Sequence, residues 1–279
     1  MKNQTGYYKT WKDSINNIIN NITIESFAFK DNNKNIHLNC KCICGNTFIR
    51  AFSALNKKTS NNSCGCLNSS IYSEAGKTNR KFYVNNGKLF DNNETSYIGG
   101  LLGSDGHYNK TKNSIELTLQ YQDYKILEEI SNYVEYSGKI SKNKNRNITR
   151  LVISDPSFCI FFKNRGIIPN KSKIYKVPDI YKNNSNYWRG MIDGDGCIHI
   201  TKDNRLLLSL CGTYDVVYNF KLFCNSIVET KNKIIEHKNK DLFSFNISRE
   251  KAIKILTIIY ENKNNLFLER KYNKYRRFL

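Results

Sequence analysis

The chain has 279 residues, 39% of them hydrophobic, which is enough for one large domain or a medium one with an appendage around a core of normal size. Its 44 Lys and Arg against 24 Asp and Glu leave a formal charge of +20, and 18 Tyr with 15 Phe add stacking surface. Such an excess of positive charge repels itself unless a polyanion is the usual partner, so nucleic acid is the leading partner. No apolar run reaches the length of about 18 residues that a spanning helix needs, and MKNQTGYYKTWKD has no apolar signal core. An intracellular, soluble protein without membrane attachment is expected.

Residues 1–35 are polar and Asn-rich, with an amphipathic run around Trp11 to Ile19 and a short apolar alternation from Ile22 to Phe29. From Ile36, IHLNCKCICGNTFIRAF places Cys40, Cys42 and Cys44 on one face of a strand. Cys64 and Cys66 follow in SCGC, after a gap long enough for the chain to fold back. Five of the nine cysteines therefore lie between residues 40 and 66, and in a reducing compartment they suggest metal binding over disulfides. Four thiolates from Cys42, Cys44, Cys64 and Cys66 would close a structural zinc site, with Cys40 able to replace Cys42. The CICG and SCGC pair resembles the small zinc-binding modules attached to phage and intron endonucleases. Cys159, Cys197, Cys211 and Cys224 stand in apolar surroundings and are expected in the core.

Residues 69–91 read as a basic linker between a module at 1–68 and a domain at 92–279. Asn92 to Thr95 suits a helix cap. The stretch it opens, YIGGLLGSDGH at Tyr97 to His107, returns as YWRGMIDGDGC at Tyr187 to Cys197. Small residues fall four apart in each copy, Gly100 with Ser104 and Gly190 with Gly194, so each helix has a bare strip where a second backbone can approach. Gly106 and Gly196 suit a left-handed residue ending each helix. Asp105 and Asp195 then stand at the ends of two adjacent helices, an oxygen-rich setting for a divalent cation.

Both copies resemble the LAGLIDADG motif of the homing endonucleases. The eighth-place aspartates of the motif fall on Asp105 and Asp195; the sixth place is Asp193 in the second copy and Gly103 in the first. The resemblance covers about residues 92–279 and includes RGIIPNKS, VPDI and IYENKNNLFLERKY.

Periodicity between and after the motifs supports two comparable halves, 92–182 and 183–279. In the first, SIELTLQ at Ser114 to Gln120 alternates as a strand, Tyr124 to Val134 is helical, strands follow near 138–141 and 148–154, and Pro156 opens a helix. In the second, Arg205 to Leu210 is a strand, Val216 to Val228 a helix, 233–236 and 242–247 are strands, and Glu250 to Tyr260 is a helix. Allowing one short strand after each motif, both halves read αββαββα. The completed order is the one the resemblance implies: an α+β fold with two pseudo-symmetric halves packed through the motif helices, each bearing a curved antiparallel sheet, plus the small N-terminal zinc module.

The resemblance implies a monomeric, site-specific endonuclease that binds long asymmetric double-stranded DNA and cuts both strands with Mg²⁺. Asp105 and Asp195 would hold the metal with the main-chain carbonyls of Ser104 and Gly194. Lys171 and Lys271, which close the two halves, would border the active centre. Candidate DNA-contacting residues are Glu116, Thr118, Gln120 and Gln122 in one half, with Arg205, Leu207 and Ser209 in the other; the sequence leaves open which strand face meets the bases. His107 and His199 are expected to contact DNA or serve structure. The alternatives are a maturase binding intron RNA, or a DNA-binding regulator of the same fold that does not cut.

Overall fold

The structure, a computed structural model, describes residues 10–19, 22–42, 46–55, 64, 82–238 and 241–279. The chain divides into two compact units, residues 1–80 and 81–279. Among the described residues no helix is long and apolar enough to cross a membrane.

In the first unit β1 (Ile18–Ile19), β2 (Ile22–Lys30), β3 (Ile36–Cys42) and β4 (Thr47–Ala51) form an antiparallel sheet in sequence order, followed by a one-turn helix, α1 (Phe52–Leu55). Alternation in β2 and β3 points Ile22, Ile24, Leu38 and Cys40 to one side, where they bury with Leu55 against Trp11 and Phe48. The Cys40 thiol is fully buried, it leans on the Leu38 carbonyl at 3.5 Å, and burial pushes its pKa up to about 11. That thiol belongs to the core. Cys42 is also buried, at the end of β3. Cys44 and Cys66 lie outside the described residues.

The second unit repeats one arrangement twice. Its first half runs α2 (Asn93–Ser104), β5 (Gly106–Asn109), β6 (Ser114–Gln120), α3 (Tyr124–Tyr133), β7 (Ser141–Asn143), β8 (Ile148–Ile153) and α4 (Pro156–Lys163). The second half runs α5 (Ser185–Asp195), β9 (Gly196–Ile200), β10 (Leu206–Gly212), α6 (Tyr214–Ile227), β11 (Ile235–His237), β12 (Leu242–Ser248) and α7 (Arg249–Tyr260). The sheets have matching antiparallel orders, β5-β6-β8-β7 and β9-β10-β12-β11. The αββαββα reading holds in both halves, and one further helix, α8 (Glu269–Arg276), follows the second. Residues 82–91, expected at the end of the linker, are instead packed into this unit: Val84 is buried, the Asn85 N–H donates to Val134 O at 2.8 Å, and the Tyr83 N–H donates to Ser137 Oγ at 2.8 Å.

Local chemistry explains the helix starts. Asn92 accepts from the Thr95 N–H at 2.8 Å while the Asn92 N–H donates to Thr95 Oγ1 at 3.2 Å, a reciprocal cap that begins α2. Asn184 accepts from the Asn186 and Tyr187 N–H groups at the head of α5, and Asp155 does the same for Ser157 and Phe158 ahead of Pro156. In β6 the residues Ile115, Leu117 and Leu119 face the core; in β10 Leu206, Leu208 and Leu210 do so. The opposite face of each sheet is left open.

Candidate active site

The two motif helices touch backbone to backbone. A Cβ added at Gly100 would lie 2.0 Å from Tyr187 O, and one at Gly190 would lie 2.2 Å from Tyr97 O, so each glycine is required by its counterpart's main chain. At the next turn Ser104 fills the space that Gly194 leaves: a Gly194 Cβ would meet Ser104 Oγ at 1.9 Å and Asp105 Oδ2 at 3.1 Å. Asp105 thus reaches across to the opposite helix.

Gly106 and Gly196 correct the expectation of a left-handed helix end. Gly196 is extended, at φ −83° and ψ 157°, and among the described glycines only Gly166 has positive φ. Both residues begin strands, and a side chain at either would strike the last turn of its own helix, at 2.4 Å from Leu102 O for Gly106 and 2.6 Å from Ile192 O for Gly196. Space, not backbone freedom, demands glycine there.

The two carboxylates leave the helix pair at this point. Burial pushes the Asp105 carboxyl up to about 6, with repulsion from Asp195 adding to it and Lys271, Lys171 and Arg270 pulling it back. Asp195 is exposed as a residue, but enough protein surrounds its carboxyl group to raise its pKa too, against Lys171 and Lys271. Two like charges therefore stand near one another at the helix ends, one half-buried and one exposed, with two cations behind them.

Those cations are the predicted lysines, and both are buried. Lys171 Nζ donates to the carbonyls of Gly103 at 2.7 Å and Ser104 at 2.8 Å. Lys271 Nζ lies within hydrogen-bond distance of four, Ile192 at 2.7 Å, Asp193 at 2.6 Å, Gly194 at 3.0 Å and Gly196 at 2.7 Å, which its three N–H groups share. Each ammonium satisfies the orphan carbonyls at a motif-helix C-terminus and sits at the negative end of its dipole. Desolvation lowers both lysine pKa values, opposed by Asp195 and Asp105 at Lys171 and most by Asp193 at Lys271. Ser104 O and Gly194 O, expected as metal ligands, each carry one lysine N–H and keep a second lone pair. Among the described residues no group of three or more His, Cys, Asp or Glu could hold a metal ion. The donor set at the centre is two carboxylates and main-chain oxygens, which fits a hard divalent cation that retains most of its waters.

The sheets follow this centre directly in sequence, β5 starting after Asp105 and β9 after Asp195. Glu116, Thr118 and Gln120 all lie on the open side of β6, with Gln122 in the turn beyond, where its side-chain amide donates to Gln120 Oε1 at 2.6 Å. On β10, Leu207 and Ser209 lie on the open side; Arg205 stands in the preceding turn with its Nε 2.5 Å from Asp203 Oδ2. His107 pairs across from Glu116 and His199 from Leu207, both exposed on that side. Cys197 is likewise exposed and Cys211 half-buried on the open face, so two of the four cysteines expected in the core are not there; Cys159 and Cys224 are. Strand alternation in GCIHI turns Cys197 outward beside inward-facing Ile198.

Sequence reading missed Arg150. It lies on β8 opposite Thr118, half exposed, and its guanidinium is bonded to Glu116, which also accepts from Thr118 Oγ1 at 2.9 Å. Only the cross-strand register brings these three together. Also missed was Arg270, beside Lys271, whose Nε lies 3.0 Å from both carboxylate oxygens of Asp123 in the other half.

No protein-family model and no curated protein matches the chain. Among solved structures, it is similar to the LAGLIDADG homing endonuclease I-LtrWI bound to target DNA, at 14% identity over 67% of this chain and 89% of that one, with a TM-score of 0.45. Similarity extends to the LAGLIDADG homing endonuclease I-GzeII in complex with its DNA target (13% identity, 65% and 87%, TM-score 0.47). It extends also to full-length DUF199/WhiA from Thermatoga maritima (14% identity, 67% and 60%, TM-score 0.43).

Proposed function

We propose that the chain is a site-specific DNA endonuclease of the LAGLIDADG homing type, hydrolysing one phosphodiester in each strand of a long asymmetric duplex. The observation that carries this reading is the placing of Asp105 and Asp195 at the matched C-terminal ends of two helices in backbone contact, with a buried lysine bonded to the last carbonyls of each. A pair of packing helices has no need of a carboxylate at the end of each, and at Asp105 burial and repulsion from Asp195 both disfavour the charged form.

Asp105 and Asp195, with Ser104 O and Gly194 O, would hold Mg²⁺, which supplies Lewis acidity and a more acidic bound water when present. The chain's own part is electrostatic and positional. Lys171 and Lys271 place fixed positive charge where negative charge grows on the phosphate, in a partly dehydrated site where it counts for more than in water. The rigid helix crossing sets the spacing of the two carboxylates and therefore of the two scissile bonds. The open sheet faces present Glu116, Thr118, Gln120 and Arg150 in one half and Leu207 and Ser209 in the other to the major groove, and the general Lys excess neutralises phosphates without reading sequence.

In the N-terminal unit the proposed structural zinc is supported by Asn46, whose O accepts from the Cys42 N–H at 2.9 Å and whose Nδ2 lies 3.8 Å from Cys64 Sγ. One residue therefore brings the start of each Cys-x-Cys clip together.

The test pairs cutting with binding. Incubated with Mg²⁺ and a library of duplexes, the protein should give paired cuts, and Asp105→Asn or Asp195→Asn should abolish them while keeping affinity within about tenfold, or ~1.4 kcal/mol. Full cutting by either variant would sink the assignment.

A further inference from the structure

The two motif helices differ most at two matched positions. Where α5 has Arg189 and Asp193, α2 has Gly99 and Gly103. All four are interior, and each pair solves the same problem by different chemistry.

In half two the solution is charged side chains bonded to the main chain. Asp193 Oδ2 accepts from the Leu268 N–H at 2.8 Å, and Leu268 is the residue that caps α8, three positions before Lys271. Arg189 holds the approach to that helix: its Nε donates to Leu266 O at 2.9 Å and its Nη1 to Ile259 O at 3.0 Å. In half one it is aromatic. The Gly99 and Gly103 positions are filled by Tyr181 and Tyr175, whose hydroxyls lie 3.1 and 2.7 Å from where Cβ atoms would be. Tyr175 is one turn beyond Lys171: its N–H donates to Lys171 O at 2.8 Å and its ring lies 5.6 Å from Lys171 Nζ.

The matched tyrosines of the motifs then act crosswise. Tyr97 on α2 donates to Asp193 Oδ2 at 2.8 Å, and Tyr187 on α5 shares a hydrogen bond with Tyr175 at 3.1 Å. Each helix secures the lysine-bearing segment of the opposite half.

We propose that Asp193 and Arg189 in one half, and Tyr175 with Tyr181 in the other, are positioning residues that seat Lys271 and Lys171 separately behind the carboxylate pair. Their effect on cutting rests on the nuclease reading above; the seating itself does not.

The seating is testable without DNA. A brief acetic anhydride pulse on the full chain, read by peptide mass spectrometry, should leave Lys171 and Lys271 protected relative to exposed Lys173. Asp193→Asn should raise labelling of Lys271 tenfold or more with Lys171 unchanged, and Tyr175→Ala should do the converse. Tyr97→Phe, which removes one hydroxyl and no volume, should raise labelling at Lys271 alone by a smaller factor, and it decides the matter if Asp193→Asn does not fold. Equal rises at both lysines, or no rise at either, overturn the proposal. In single-turnover cutting, Asp193→Asn should slow one strand more than the other at unchanged affinity. Selective labelling in a protein that cuts no DNA would leave the clamps standing and remove the nuclease reading; unselective labelling in one that cuts would do the reverse.

Discussion

Replacing Gly100 with Ala should damage stability and cutting together. The added Cβ would begin 2.0 Å from Tyr187 O and 2.9 Å from Met191 N, both main-chain atoms that cannot swing aside. Ordinary contact is about 3.5 Å, so the helices must part by at least ~1 Å, and a gap of that size forfeits up to about half of each facing atom pair's attraction. If about 50 pairs at ~0.15 kcal/mol span the seam, the loss is about 3 kcal/mol; the better helix propensity of Ala returns about 1, leaving a net cost of ~2 kcal/mol. For a unit of this size that lowers the melting temperature by about 4–8 °C. A 1 Å shift of the carboxylates relative to each other should also slow single-turnover cutting about 10²-fold. Thermal unfolding of the second unit and cutting at saturating DNA check both, with Gly87→Ala as control, since its Cβ meets only the side-chain oxygen of Asn85, at 3.2 Å. If Gly100→Ala melts within ~1 °C of the parent chain, the backbone contact is not what holds the halves.

Asp105→Asn should stabilise the metal-free fold even as it abolishes cutting. Because the folded-state pKa is raised from 3.8 to about 6, the unfolded chain loses its proton first as pH rises, so the native chain is penalised increasingly between those values and fully above about 6. The shift corresponds to ~3 kcal/mol at most, and roughly half that once solvent screening is allowed for; melting in chelator at pH 7.5 and pH 4 should show the gain at the former and little at the latter. Arg150→Ala should relax base preference at one position of the target by about 1–3 kcal/mol, read by profiling cut sites, whereas unchanged preference would remove it from the reading face. Cys64→Ser should release bound zinc from the N-terminal unit and unfold it while the second unit's melting transition stays in place, measurable by metal analysis with calorimetry.

The repeated halves were legible because strand and helix periods survive in both copies, and because Gly100, Ser104, Gly190 and Gly194 mark a seam that only small residues permit. What stayed hidden depends on tertiary placement. The stretch ERKYNKYR has no apolar period, and α8 stands because Lys271 and Tyr275 bury and Asp193 holds its first turn. Glycine before a strand looks the same in sequence whether it is needed for its dihedral angles or for its missing side chain, so Gly106 and Gly196 were misread. Cys197 has apolar neighbours along the chain but not across the sheet. Lys171 and Lys271 were named because each closes its half, yet nothing in their spacing says that their ammonium groups would rest on helix carbonyls.

The open sheet faces and the helix seam have opposite freedom to vary. Glu116, Thr118 and Arg150 bond chiefly to one another, so on the proposed endonuclease reading replacing them would alter what one half recognises without disturbing the interior. A change at Gly100 or Gly190 is felt by both halves at once, because each meets the main chain of the opposite helix. On that reading a lineage of such chains would move to a new target one half at a time, by drift on the faces over an unchanging seam. A half borrowed from a relative would work only if it brought the matching glycine and tyrosine with it.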